Sequence, residues 1–263
     1  GNVAVAETDT DGMTRLMAGR EVGQMYVRSA RTPGEVVLST AGLRGPRLPL
    51  GVDLELRTGE VLGLAGLNGS GRTEFVRCLF GLDRLKSGRI SPRAGSRMGW
   101  PWAGMVSEDR KTEGLAQALS IADNLTLPRP GRVAVRDADL VQRTDAVVSA
   151  LSVKCRSPWQ PIGSLSGGNQ QKVAIGRLFD QSSDVWLLDE PTRGIDVGSK
   201  AEIYKIIDKG ACEGKAVLLV SSHLPELLGL CDRIAVFRRG EVVAVLDGRR
   251  TDEHTLLGWC TGA

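Results

Sequence analysis

A glycine-rich stretch that follows a short apolar run has the residue types that bind a polyphosphate. The apolar run is 61–65, and the stretch reads Gly66, Leu67, Asn68, Gly69, Ser70, Gly71, Arg72 and Thr73. A strand that turns through glycines into a helix points several backbone N–H groups and the positive helix end at one spot. We expect this phosphate loop (Gly66–Thr73) to bind phosphates. Its Thr73 hydroxyl would contact Mg²⁺, and Arg72 would contact the outer phosphates, where such loops normally carry lysine.

Two acids stand at the end of a second apolar run. Asp189 and Glu190 follow residues 185–188 directly, and α/β sheets place their ligands at the carboxyl ends of such strands. We expect Asp189 to hold Mg²⁺ beside Thr73, and Glu190 to polarise an attacking water as a general base. His223 lies just beyond the next apolar run, where it is expected to contact a γ-phosphate.

A third stretch begins a helix with small residues. Ser166 is followed by Gly167 and Gly168, and Gln170 comes two residues later. The serine can cap the helix, and the glycines let its N–H groups approach a ligand closely. Alone, this pattern predicts only a well-capped helix. With the phosphate loop upstream and the acid pair downstream, it indicates a nucleotide-binding element.

The strands and helices predicted around these residues indicate an α/β fold. From residue 185 onward, strands are predicted at 185–188, 217–220 and 234–237, with helices between them at 197–213 and 224–229. Apolar strands that alternate with helices form a parallel sheet covered on both faces. Short strands are also predicted at 36–39 and 52–56. Residues 110–164 have one predicted helix, at 136–151, and no strong strand, so we expect an inserted helical lobe there.

The first residues of the chain are similar to the last ones. Residues 1–6, followed by Thr10 and Thr14, resemble residues 240–245, followed by Thr251 and Thr255. Self-similarity at the two ends indicates that residues 1–33 hold the tail of a preceding copy of the domain and a linker. The domain itself would then span 34–263. The alternative is a chance resemblance between two short strand-to-helix pieces.

Composition excludes several classes of protein. The chain has 263 residues, of which 41% are hydrophobic and 25% charged, so a large core is expected and disorder is not. A net charge of +3, spread along the chain, does not favour a nucleic-acid partner. No apolar run approaches the roughly 20 residues that cross a bilayer. The five cysteines are widely spaced without a CxxC pair, which favours reduced thiols over a metal site or disulfides.

Taken together, these motifs resemble the signature of the ABC ATPases. More narrowly, residues 71–74, 107–111, 165–171 and 190–198 are similar to the C-terminal cassette of the tandem ATPases that drive bacterial monosaccharide import. The resemblance covers nearly the whole chain from about 34 to 246. It implies a P-loop NTPase core with a mainly parallel sheet, a β-rich edge and a helical subdomain at about 110–164. It also implies ATP and Mg²⁺ as ligands, with Glu108 as a further metal contact.

The same resemblance implies the partners of the chain. A preceding ABC cassette in the same tandem protein would pair with it head to tail, so that Ser166, Gly167 and Gly168 serve the ATP held by that cassette. An integral membrane permease would bind it at the cytoplasmic face of the membrane. An extracytoplasmic sugar-binding protein would act with it indirectly, and nucleic acid is not an expected partner.

Several positions depart from the family pattern. Arg72 replaces a lysine, and a planar guanidinium cannot mimic a compact ammonium. Glu108 stands where most cassettes have glutamine, and no aromatic residue occurs in 40–60, where many stack a tyrosine on adenine. That absence removes roughly 1–3 kcal/mol of stacking, and Tyr26 lies too far upstream to be a confident replacement.

Three functional hypotheses follow. The first is a cassette that hydrolyses ATP to power sugar import, which Glu190 and His223 favour. The second is a mainly ATP-binding regulatory half whose signature helix serves the catalytic site of the partner cassette, which the departures at Arg72 and Glu108 favour. The third, a soluble ABC ATPase acting on DNA or ribosomes, would need a long coiled coil or a strongly basic face, and the sequence has neither.

Overall fold

The computed structural model describes residues 25–93, 103–127 and 136–263. Nearly all of the segment predicted as the tail of a preceding copy therefore lies outside the described residues. Within them, the strands are β1 (Val36–Arg44), β2 (Leu50–Arg57), β3 (Val61–Ala65), β4 (Ser87–Pro92), β5 (Ala103–Val106), β6 (Val185–Asp189), β7 (Ala216–Val220), β8 (Arg233–Arg238) and β9 (Glu241–Asp247). The α-helices are α1 (Arg72–Phe80), α2 (Ile121–Thr126), α3 (Asp137–Ala150), α4 (Gly167–Asp180), α5 (Val197–Cys212), α6 (Leu224–Leu230) and α7 (Glu253–Thr261).

The central sheet has six strands in the order β5-β6-β7-β3-β8-β9. Neighbouring strands pair in parallel, except for the antiparallel hairpin of β8 and β9. Every residue of β3, β6 and β7 is buried, as parallel strands covered on both faces require. The predicted α/β fold with a mainly parallel sheet is therefore confirmed.

A second, smaller sheet packs beside the first. It has three antiparallel strands in the order β2-β1-β4. Alternate residues of β2 are buried, including Val52 and Leu56, while the residues between them face outward. This alternation is typical of a sheet with one face on the core. The strands predicted at 36–39 and 52–56 both prove longer, because hydrogen bonding to the neighbouring strand continues past the apolar residues.

Three helices pack on one another: α2 and α3, which lie within the predicted lobe region, and α4, which follows it. Helix α2 begins with a capping box, in which Ser120 and Asp123 satisfy each other's backbone N–H groups. The stretch before it contains a short π-helical turn at Arg110–Gly114, where the Asp109 side chain accepts from the N–H groups of Lys111 and Thr112. Helix α3 lies within the helix predicted at 136–151.

The polar segment just before β1 contacts the domain rather than crossing solvent as a linker. Arg31 pairs with both Asp208 and Asp232, and its side chain is only 5% exposed. Ser29 donates its backbone N–H and its hydroxyl to Asp208. Sequence alone predicts a linker here because the segment is polar, but these polar groups satisfy two carboxylates whose side chains are almost fully buried.

All five cysteines are free, and Cys78, Cys231 and Cys260 are buried. Among the described residues, no helix is both long enough and apolar enough to cross a membrane.

Candidate nucleotide-binding site

The phosphate loop lies between the end of β3 and the start of α1, as predicted. Gly66 has φ +153° and Gly71 has φ +103°, a region that side chains rarely adopt. A Cβ atom on Gly66 would lie 2.4 Å from the carbonyl oxygen of Phe237. These two glycines are therefore required by the turn itself, which aims the start of α1 into the cavity described next.

A cavity of about 480 Å³ opens over this loop. Residues 68–74 form one wall, and Glu108, Glu190, Arg193 and Ser222 complete it. The structure thus brings the phosphate loop together with Glu108 and Glu190, which lie far away in sequence. Such a concave site, with backbone N–H groups on one side and acids on the other, can hold a polyphosphate and a metal ion.

Thr73 and Asp189 have the arrangement that a hard cation needs. The Thr73 hydroxyl lies 3.3 Å from Oδ1 of Asp189, and Oδ2 has no hydrogen-bond partner in the described part of the chain. Burial raises the pKa of Asp189 to about 6. A buried carboxylate oxygen without a hydrogen-bond partner destabilises the folded chain, and a cation bound there would offset this loss of free energy.

The described residues contain no group of three or more His, Cys, Asp or Glu side chains that could hold a metal. Proteins bind Mg²⁺ through one or two carboxylates together with substrate phosphates and water, and Asp189 and Thr73 offer one carboxylate and one hydroxyl side by side. Thr73 and Asp189 are therefore suitable to hold it. Glu108 lines a cavity with both of them, but its carboxylate pairs with the guanidinium of Arg193.

The Arg72 guanidinium is buried rather than curled over the loop. Its Nη1 donates to the backbone oxygen of Ser221 at 2.8 Å, beyond the end of β7. Burial lowers the pKa of Arg72, and the nearby carboxylates of Glu190 and Asp189 oppose that effect. Arg72 thus connects α1 to the segment after β7 and balances the charge of the acid pair.

Glu190 follows β6 in an uncommon backbone conformation. Its φ is +47°, which costs energy for a residue with a side chain and is found at functional sites. The Ser222 hydroxyl donates to Oε2 at 3.2 Å. Burial raises the pKa of Glu190. Its carboxylate is therefore a stronger base than an exposed glutamate and suits the predicted role of general base.

A family model described as ABC transporter matches residues 50–193 of the chain. The chain belongs to the ABC transporter family. Two ATP-binding cassettes of known structure share its fold. One, the ATP-binding subunit of an ABC transporter, has a TM-score of 0.69 and 21% identity over 86% of this chain and 99% of that one. The other, bound to ADP and phosphate after hydrolysis, has a TM-score of 0.69 and 20% identity over 81% and 100%.

Curated relatives of this ABC ATPase are more similar in sequence. It is 39% identical to the ribose import ATP-binding protein RbsA of Chromobacterium violaceum, over 100% of this chain and 54% of that protein. It is 42% identical to the ribose import ATP-binding protein RbsA 3 of Rhizobium meliloti, over 98% and 54%. The chain therefore spans about half the length of the curated relatives it matches.

In this ABC ATPase the His223 side chain does not line the phosphate cavity, although its neighbour Ser222 does. Its Nε2 lies 3.3 Å from the Tyr26 hydroxyl, and the Tyr26 ring stacks on Tyr204 with centroids 5.2 Å apart. Burial raises the pKa of Tyr26 to about 12, so its phenol stays protonated at neutral pH. The γ-phosphate contact expected of His223 would require its side chain to turn away from Tyr26.

The signature motif (Leu165–Gln171) of the ABC ATPase lies apart from the chain's own phosphate cavity. Ser166 caps α4 and lines a different cavity, of about 760 Å³. A Cβ atom on Gly168 would lie 2.1 Å from Oγ of Ser199, so this glycine allows α4 and α5 to meet. Gln170, predicted to bind nucleotide, is 6% exposed and its Nε2 donates to the Leu165 backbone oxygen.

Arg110 connects these regions, a role that the sequence does not assign to it. Its Nη1 donates to the backbone oxygen of Arg193 at 2.9 Å, and its Nη2 to that of Gly194 at 3.3 Å. It also lies against Gly167, since a Cβ atom there would be 2.9 Å from Nη2. The sequence signals are its place in the stretch 107–111, which resembles the family pattern, and the position of that charged stretch directly after a core strand, which favours a connector over a solvated loop.

Proposed function

We propose that this chain is the C-terminal cassette of a tandem ABC ATPase that hydrolyses ATP to power import of a monosaccharide through a membrane permease. The observation that carries the proposal is the placement of Glu190 beside Thr73 and Asp189 at the phosphate loop. The sequence relatives named for ribose import, of which the chain spans about half, favour a pentose or a similar sugar as cargo.

Each step of hydrolysis has a residue suited to it. The backbone N–H groups of the phosphate loop bind and orient the polyphosphate. Thr73 and Asp189 would hold Mg²⁺, which would supply positive charge to the phosphate oxygens. Glu190 accepts a proton from the attacking water, and Ser222 orients its carboxylate. The positive charge of Arg72 offsets part of the rise that burial causes in the pKa of Asp189 and Glu190.

A second candidate function is a regulatory half that binds ATP with little turnover. Two observations favour it. The Arg72 guanidinium is bonded to the Ser221 backbone oxygen, and Glu108 is paired with Arg193. Both side chains would have to exchange these contacts for a ligand before they served catalysis.

Rates of ATP hydrolysis separate the two functions. We expect the full-length protein with Glu190→Gln in this cassette to lose about 10²-fold or more of the turnover of this site, since a general base contributes at least that much. Glu241→Gln, an exposed glutamate on β9, is the matched control and should leave the rate unchanged. Wild-type turnover that does not respond to Glu190→Gln would favour the regulatory half.

The proposed partners follow from the same function. A preceding cassette would pair head to tail with this chain, and the permease would dock on the helical region near 108–130, at the cytoplasmic face of the membrane. The support for this docking surface is positional, because the π-helical turn at Arg110–Gly114 joins Glu108 to α2. An extracytoplasmic sugar-binding protein would act through the permease.

Cross-linking of the assembled transporter tests the docking surface. Single cysteines at exposed positions 109, 113 and 127 should form cross-links to permease loops. Cysteines on α7, at 253 and 257, are the matched control and should not. Cross-links confined to 240–263 would contradict the docking surface without affecting the proposal of hydrolysis.

A further inference from the structure

The oxygen of the Ser166 side chain accepts two hydrogen bonds from one residue. The Asn169 backbone N–H lies 3.4 Å from Oγ, and the Asn169 side-chain amide nitrogen lies 2.9 Å from it. A hydroxyl has two lone pairs and one hydrogen. Because both lone pairs are occupied, the Ser166 hydroxyl can take part in a further hydrogen bond only as a donor.

The orientation of the Asn169 amide is fixed independently. Its Oδ1 accepts from the backbone N–H of Lys154 at 2.8 Å. A backbone N–H can only donate, so the atom facing it must be the amide oxygen, and the atom facing Ser166 must be the NH₂ group. A flipped amide would break both contacts. The Lys154 backbone N–H therefore fixes the Asn169 side-chain amide as the donor and the Ser166 oxygen as the acceptor.

The free hydrogen of Ser166 has no acceptor among the described residues, and the side chain is exposed. The cavity that it lines also includes the exposed cations Lys154 and Arg156. A hydroxyl that can only donate, beside two positive charges, suits an anionic oxygen. We propose that Asn169 is a positioning residue that holds Ser166 as an obligate donor to the terminal phosphate of the ATP bound by the opposing cassette. This inference rests on the proposed function.

A second serine on the same cavity provides the contrast. Ser164 donates its hydroxyl hydrogen to the Pro161 backbone oxygen at 2.6 Å and accepts from the Gln160 amide at 2.7 Å. Its hydrogen is thus already used within the chain. Of the two serines, only Ser166 has a hydrogen available for a ligand.

A double-mutant cycle in the full-length protein tests the inference. Asn169→Asp keeps the shape and the oxygen that faces Lys154, but it replaces the amide donor with an acceptor that draws the Ser166 hydrogen inward. We expect it to lower kcat by about 10²-fold, the loss seen when one transition-state donor is removed. The same change in a Ser166→Ala background should cost less than about threefold, because its target is then absent.

The cycle also separates the hydroxyl from the added charge. A carboxylate that acted only by repelling phosphate would cost the same factor in both backgrounds, and this additive result would overturn the inference. Asn169→Ala adds no charge and should lower kcat about 3- to 10-fold, the net value of one ordinary hydrogen bond. Wild-type kcat in Asn169→Ala would also overturn it. Ser164→Ala is the matched control and should leave kcat unchanged.

A second readout does not depend on turnover. The dissociation constant of a non-hydrolysable ATP analogue with Mg²⁺, measured by calorimetry on the same variants, should show the same coupling between Asn169 and Ser166. If the wild-type protein proved unable to hydrolyse ATP, the proposed hydrolysis would fail while this binding cycle still decided the role of Asn169. Additive changes in the dissociation constant would contradict the inference.

Discussion

In the cavity over the phosphate loop, charged side chains are already paired within the chain, whereas at the signature motif the Ser166 hydroxyl keeps its hydrogen for a ligand. Arg72 is bonded to the Ser221 backbone oxygen, and Glu108 to Arg193. Ser166 has only donors around its oxygen. The Arg72 and Glu108 side chains must exchange these internal contacts before they contact a ligand, while the Ser166 hydroxyl is organised in advance. Preorganised donors stabilise developing charge most effectively, so we expect the signature motif to contribute more to the rate of ATP hydrolysis than Arg72 and Glu108 do.

The largest effect should therefore come from the signature motif. In the full-length protein, Ser166→Arg should abolish most ATP turnover, by at least about 10²-fold, because it removes a donor and places a long side chain where the opposing nucleotide binds. Arg72→Ala should leave a substantial fraction, about one tenth or more, because the guanidinium is already committed to a backbone oxygen. Steady-state rates of the two variants measure the difference.

The control for this pair is Ser87→Arg, an exposed serine at the start of β4 that should keep the wild-type rate. Thermal unfolding of each variant shows whether the fold is intact. If Arg72→Ala were the more damaging change, the assignment of roles to the two regions would be wrong.

The local parts of both regions can be predicted from the sequence. The phosphate loop and the strand that delivers Asp189 and Glu190 follow from local patterns, because glycine spacing and an apolar run dictate a strand–turn–helix and a buried strand. The parallel sheet follows for the same reason. The Ser166 cap is likewise local, since Ser166 and Asn169 lie three residues apart.

Contacts between distant segments were not predictable. Nothing local relates Tyr26 to His223, Arg31 to Asp208, or Arg110 to the backbone oxygens of Arg193 and Gly194. These contacts depend on the relative placement of whole elements, which periodicity does not specify. For this reason sequence alone predicts a linker where a polar segment packs on the core, and it does not reveal the contact between His223 and Tyr26.

The second prediction concerns Asp189, which lies beside Thr73 of the phosphate loop and has a buried carboxylate oxygen without a hydrogen-bond partner among the described residues. Its pKa is raised to about 6, so between pH 4 and 6 the folded chain binds more protons than the unfolded chain. This residue therefore lowers the free energy of unfolding as the pH rises through that range. Without nucleotide, Asp189→Asn should stabilise the chain at pH 7 by up to about 3 kcal/mol, and the gain should vanish near pH 4.

Urea unfolding of the wild type and the variant at several pH values measures this difference. Asp184→Asn, at an exposed aspartate just before the same strand, is the matched control and should not change with pH in this way. The same Asp189→Asn variant should lose Mg²⁺-dependent ATP binding, because the amide removes a negative ligand. If Asp189→Asn instead destabilised the chain at pH 7, the Asp189 carboxylate would already be stabilised by contacts within the chain, as the Arg72 guanidinium is.

The smallest effect should come from Tyr26. Tyr26→Phe removes the hydroxyl that contacts His223 at 3.3 Å and keeps the ring stacked on Tyr204. If this contact holds the imidazole away from the phosphate cavity, its loss should free His223 to turn toward the nucleotide and raise kcat by at most about tenfold, the value of one hydrogen bond. Tyr204→Phe keeps both the stack and the Tyr26 contact, so its kcat should match the wild type. A lower kcat in Tyr26→Phe would instead mean that Tyr26 orients His223 for catalysis, and the phosphate cavity would then be preorganised in the same sense as the signature motif.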